Sequence, residues 1–81
     1  MKLFCAVILH PNSIHIAILD EQQTEILDTQ IDNNRDDVLA ALAPHRRDLE
    51  SILIEAHEDP AWLMQALQEA GHNNVYTLDQ G

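Results

Sequence analysis

The sequence predicts an α/β domain built on a mixed five-stranded sheet, with strands in the order 3-2-1-4-5 and two helices. Three observations lead there. The chain opens on an apolar run from Leu3 to Leu9, and two further strand-like segments follow it. The periodicity then changes to helical near Asn33. Beyond that point strand-type and helix-type patterns alternate, giving β-β-β-α-β-α-β, the pattern of a sheet that begins as an antiparallel meander and continues by helical crossovers. With right-handed crossovers, the later strands are added parallel to the first.

The elements follow in order. The continuous apolar stretch Leu3–Leu9 reads as a strand buried on both faces. Pro11-Asn12-Ser13 marks a turn, and from Ser13 to Leu19 the residues Ile14, Ile16 and Ile18 alternate with His15, Ala17 and Leu19. After the polar turn Asp20-Glu21-Gln22-Gln23, the segment Thr24 to Ile31 places Ile26 on one face and Leu27, Thr29 and Ile31 on the other, as an edge strand would. Asn33 is the expected cap of the first helix, with Asp36 three residues on and Asp37 in the first turn. Val38, Leu39 and Leu42 form its apolar stripe, Pro44 ends it, and His45 to Glu50 is a polar connection. Ser51 to Glu55 is a short buried strand. Asp59-Pro60 starts the second helix, Trp62, Leu63, Ala66, Leu67 and Ala70 give it helical spacing, and Gly71 ends it. Asn74 to Leu78 is the last strand.

Eighty-one residues hold one core, so positions 1–81 read as a single domain. Its aromatics number only three, Phe4, Trp62 and Tyr76, which leaves the packing to aliphatic side chains. So small a core favours self-association or a partner, and the exposed edge strand makes a homodimer plausible. Fourteen acidic residues against four basic ones give a formal charge of −10. Lys2 is isolated, Arg35 is flanked by acids and Arg46-Arg47 is a doublet, so the clustered cations that nucleic-acid binding requires are missing. A basic protein partner suits this charge, and Asp28, Asp32, Asp36 and Asp37 are the candidate contact residues, since the third strand and the first helix start bring them together. The lone Cys5 lies in an apolar run and reads as a core residue. The opening residues look like the start of a signal peptide, but the apolar stretch is short and has no small-residue cleavage pattern. A soluble, cytoplasmic chain without a membrane span or a cofactor is expected.

The element order is also that of the first part of the RNase H-like fold, and three stretches carry a closer resemblance. They are Ala6-Val7-Ile8-Leu9-His10 with Ile14 to Glu21, then Asn33 through Pro44, then Ile54-Glu55 with Trp62 to His72. Together they resemble the N-terminal end of the RuvC-like DEDD transposases of the Piv-type insertion-sequence family. The resemblance implies an Asp on the first strand just before a Leu-His pair and a Glu ending the strand before the second helix. With two downstream Asp residues, these would hold divalent metals for phosphodiester cleavage. Glu55 stands at the matching Glu position, whereas Ile8 stands at the Asp position and offers no oxygen ligand. The downstream pair has no counterpart in these 81 residues. A two-metal site needs several hard oxygen donors, so the expected chain is catalytically inactive.

Three functional classes follow from this reading. The first is a non-catalytic, transposase-derived interaction module, with an acidic inhibitor of a defence or recombination protein as its sharpest form. The second is a remnant or fragment of a DEDD transposase nuclease domain. The third is a small metal-binding protein using His10, Glu55 and His57, although these residues have no diagnostic ligand spacing. His15, His45 and His72 read as half-exposed or turn histidines.

Overall fold

The computed structural model describes residues 1–78 and contains the elements β1 (Leu3–Leu9), β2 (Ser13–Asp20), β3 (Glu25–Asp32), α1 (Arg35–Leu42), β4 (Leu49–Ala56), α2 (Ala61–Glu69) and β5 (Val75–Leu78), with a single 3-10 turn at Ala43–His45. They form one sheet in the order β3-β2-β1-β4-β5. β1 pairs antiparallel with β2, β2 antiparallel with β3, and β4 and β5 are added in parallel. The strand order expected from the sequence is the one found. With its two helices it is a ribonuclease H-like arrangement.

Both crossovers run the same way across the sheet, from β3 over to β4 and from β4 on to β5. Crossovers of one hand that advance in one direction put their helices on one face. The packing shows this: Cys5, Val7 and Leu9 of β1, Ile14, Ile16 and Ile18 of β2, and Ile52 and Ile54 of β4 share one buried cluster with Val38 and Leu42 of α1 and Leu63 and Leu67 of α2. The opposite face carries no helix among the described residues. β1 is therefore not buried on both sides as its unbroken apolar run implied. Its odd-numbered residues are buried, whereas Phe4 and Ala6 are exposed and Ile8 is half-buried.

Local signals explain the ends of these elements. The β2–β3 turn is held by the Asp20 carboxylate, whose Oδ1 accepts from the amides of Gln22 and Thr24, each at 2.9 Å. Gln23 closes that turn with φ at 65°. The cap of α1 is Asn34 rather than Asn33: Asn34 Oδ1 accepts from the Asp37 amide at 2.9 Å, and Asn34 Nδ2 donates to Asp37 Oδ2 at 3.1 Å. Asn33 is drawn instead into the β1–β2 turn, where its Nδ2 donates to the His10 carbonyl at 2.7 Å. The start of α2 moves by one residue in the same sense. The Asp59 carboxylate accepts from the Ala61 amide at 3.0 Å, and the helix proper begins after Pro60.

The C-terminus of α2 is a Schellman motif. Gly71 at φ +98° lets its own amide reach the Gln68 carbonyl at 3.0 Å, and the next amide, from His72, reaches Leu67 at 2.9 Å. The last expected strand is confirmed from Val75 to Leu78.

Candidate functional site

The strand register settles where Ile8 and Glu55 lie. Ile8 is the direct partner of Glu55 across the parallel β1–β4 pair, close to the C-terminal ends of both strands. Glu55 in turn faces Leu78 on β5, and Ile8 faces His15 on β2. The chain leaves β1 toward β2 and leaves β4 toward β5, so this is the end of the sheet where connections diverge and where α/β sheets hold their ligands. An Asp at position 8 would stand beside Glu55. Ile8 supplies a branched hydrocarbon there.

His10 and His57 continue β1 and β4 just beyond that pair. The His57 amide donates to the Leu9 carbonyl at 3.1 Å, and the two imidazole rings stack with centroids 5.3 Å apart and planes 7° from parallel. A histidine ligates a metal within its own ring plane. Two stacked, near-parallel rings do not converge on one ion from those planes. Among the described residues, no group of three or more His, Cys, Asp or Glu side chains is arranged to hold a metal.

The wider surface around Glu55 is apolar. Apart from Met1, all of the exposed large hydrophobic residues among those described lie on the sheet face without helices: Phe4, Leu19, Ile26, Leu53, Tyr76 and Leu78. Phe4 is next to Leu19 across the β1–β2 pair, and Leu53 is next to Tyr76 across β4–β5. Ala6 and Ala17 pair between them and complete a continuous floor. A contiguous apolar surface of this kind marks an interaction site more often than scattered hydrophobics do.

Two of the candidate aspartates, Asp28 and Asp32, lie along the β3 edge of this face, whereas Asp36 and Asp37 belong to α1 on the covered side. Asp28 receives the His15 ring nitrogen at 2.6 Å. Asp32 ends β3 and shares a shallow depression with Asp37, Ser13, Gln30 and Ile31. Asp36 is exposed in the first turn of α1, while Asp37 is engaged in the cap. The four sequence-selected aspartates therefore divide, with Asp28 on the open face and Asp32, Asp36 and Asp37 around the join of β3 and α1.

Cys5 lies under the helices, and burial pushes its thiol up to about 12, so it stays protonated and unreactive. The sequence makes His72 a half-exposed or turn histidine. It is instead buried, and is the only polar side chain so placed among the described residues. Its position was signalled by Gly71: the residue after a Schellman glycine packs back toward the helix.

No family model and no curated protein matches the chain. A solved structure titled "Structural Study of the Aquifex aeolicus PPX-GPPA enzyme" is similar over 95% of this chain and 36% of its own length, at 11% identity and a TM-score of 0.47. The chain thus spans about a third of that structure. No helix is long and apolar enough to cross a membrane among the described residues.

Proposed function

We propose that the chain is a non-catalytic protein-interaction module, shaped like the N-terminal half of a RuvC-like transposase nuclease domain, that docks through the open face of its sheet. The observation that carries this reading is the pairing of Ile8 with Glu55. Where phosphodiester cleavage of the resembled kind would need two adjoining carboxylates, one is replaced by hydrocarbon, and that hydrocarbon merges with an exposed apolar floor. A surface that has lost ligands but kept hydrophobics is suited to binding a protein, not to holding metal.

The partner that fits is a protein presenting an apolar segment flanked by Lys and Arg, as nucleic-acid-handling proteins of defence or recombination systems do. The apolar part would seat on Phe4, Leu53 and Tyr76. The cations would meet Asp28 and the carboxylates at the β3–α1 join. A second copy fits less well, because it brings a further charge of −10 to the contact.

Two assays test the reading together. The purified chain is expected to leave single- and double-stranded DNA and RNA uncut with magnesium or manganese, and its partner affinity is expected to fall as salt rises, mainly through slower association. Metal-dependent cleavage that disappears in Glu55→Gln would overturn the non-catalytic reading.

A further inference from the structure

The end of the sheet opposite Glu55 holds a second site of a different chemistry. A depression of about 140 Å³ lies between the start of β4 and the α2–β5 connection, lined by polar Arg46, Ser51, His72, Asn73 and Asn74, with Gly71 and two aliphatic residues. On the same volume measure one water needs roughly 10–15 Å³, so a tetrahedral oxyanion has room. Among the described residues no carboxylate lines it. A neighbouring depression that shares Arg46 and Gly71 adds Arg47, again with no acid among the described residues. In a chain with fourteen acidic and four basic residues, two of the four cations thus gather where no described carboxylate lines the surface.

Its polar side chains are also not tied to other protein groups. None of Arg46, Ser51, His72, Asn73 and Asn74 uses its side chain in a hydrogen bond or ion pair among the described residues. By contrast, Arg35 is tied to Glu69 at 3.1 Å. His72 is only 7% exposed, but among the described residues no fully buried side-chain nitrogen or oxygen lacks a partner, so its unbonded ring nitrogens reach the surface. Gly71 leaves room for Arg46: a Cβ there would overlap the Arg46 guanidinium, so the glycine both ends α2 and opens the space in which that cation lies.

From this convergence we infer that Arg46, His72 and Ser51, with the Asn73 and Asn74 amides, form a binding site for a phosphate group, either as inorganic phosphate or as a small phosphate monoester. Arg46 supplies the charge and a planar fork of donors, Ser51 and the asparagines supply neutral donors, and His72 supplies an N–H from the buried wall. Such a pocket takes one phosphate. It does not provide the extended run of cations that a nucleic-acid backbone requires.

The test is a titration of the isotope-labelled 81-residue chain, followed through its amide and His72 imidazole signals, with inorganic phosphate in one arm and adenosine monophosphate in the other. Saturable shifts confined to residues 46, 51 and 71–74, with a Kd of about 1 mM or tighter, are expected. Arg46→Gln should weaken binding about tenfold, the loss of one charge-assisted contact, while leaving the amide spectrum elsewhere unchanged. Ser51→Ala serves as a second variant that leaves both the charge and the buried wall intact, and it should weaken binding by a smaller factor. Equal affinity in the two arms assigns recognition to the phosphate alone, and tighter monophosphate binding assigns the monoester. Shifts that fail to saturate in both arms, or affinity unchanged in both Arg46→Gln and Ser51→Ala, would overturn the site.

Discussion

The two faces of this sheet are made by the same strands and obey the same alternation, yet only one of them is covered. On the covered face, Val7, Ile14, Ile16, Ile18 and Ile54 are fully buried against two helices. On the open face, Phe4 is 42% exposed and Tyr76 56% exposed, with no helix over them. One face is spent on folding. The other leaves large hydrophobic side chains 37–56% exposed, and the difference arises from two crossovers that advance in the same direction. Hydrophobicity alone therefore does not identify a core in this chain.

The largest expected effect comes from trimming each face in turn. Ile16→Ala removes a fully buried side chain and should cost about 2–5 kcal/mol, much of the stability a domain of this size has. Phe4→Ala, on the opposite side of the neighbouring strand, should cost under about 1 kcal/mol. Urea denaturation of the two variants checks this, and equal losses would mean that the open face is covered in solution.

A smaller effect is expected at the helix end that holds Arg46. Gly71→Ala forces a side chain into the left-handed region and displaces the guanidinium, so a loss of about 1–2 kcal/mol is expected in the same denaturation experiment.

Much of the fold was legible in the sequence, because strand alternation, turn residues and helix spacing are local signals. Strand order followed from handedness. What was not legible was coverage. The apolar run Leu3–Leu9 looks the same whether one or both faces are covered, since alternation is hidden when both sets of residues are hydrocarbon. The cap of α1 falls one residue later than expected because Asn33 and Asn34 are chemically equivalent, and only the distant His10 carbonyl decides which one turns inward. Of the candidate site, the Ile8–Glu55 pair could be anticipated from the resemblance, and the register now places the two side by side. The Arg46–His72 depression could not be anticipated, because it joins residues from opposite ends of β4 and α2 that share no sequence pattern.

The smallest expected effect is a pH dependence. Burial first, and the nearby Arg46 charge second, lower the His72 pKa below its ordinary value of 6.5. The unfolded chain therefore takes up this proton before the folded chain does. The stability that depends on a neutral His72 is present above about pH 6.5 and is lost as the pH falls through the lowered folded value. Thermal melts of wild type and His72→Gln between neutral and mildly acidic pH should converge as acid is added, and parallel curves would remove His72 as the cause.

The most direct measurement of the central claim compares two charge variants against one partner. In the first, Phe4→Glu and Leu53→Glu place carboxylates on the open face. In the second, Asp28, Asp32, Asp36 and Asp37 are changed to Asn. Binding of a basic protein partner is measured by calorimetry, with cooperative unfolding confirmed for both variants. The open-face variant should lose binding altogether, whereas the asparagine variant should keep it with a weaker affinity and a shallower salt dependence. Full binding by the open-face variant, together with complete loss in the asparagine variant, would show that the partner reads the four aspartates and that the apolar face is not the docking surface.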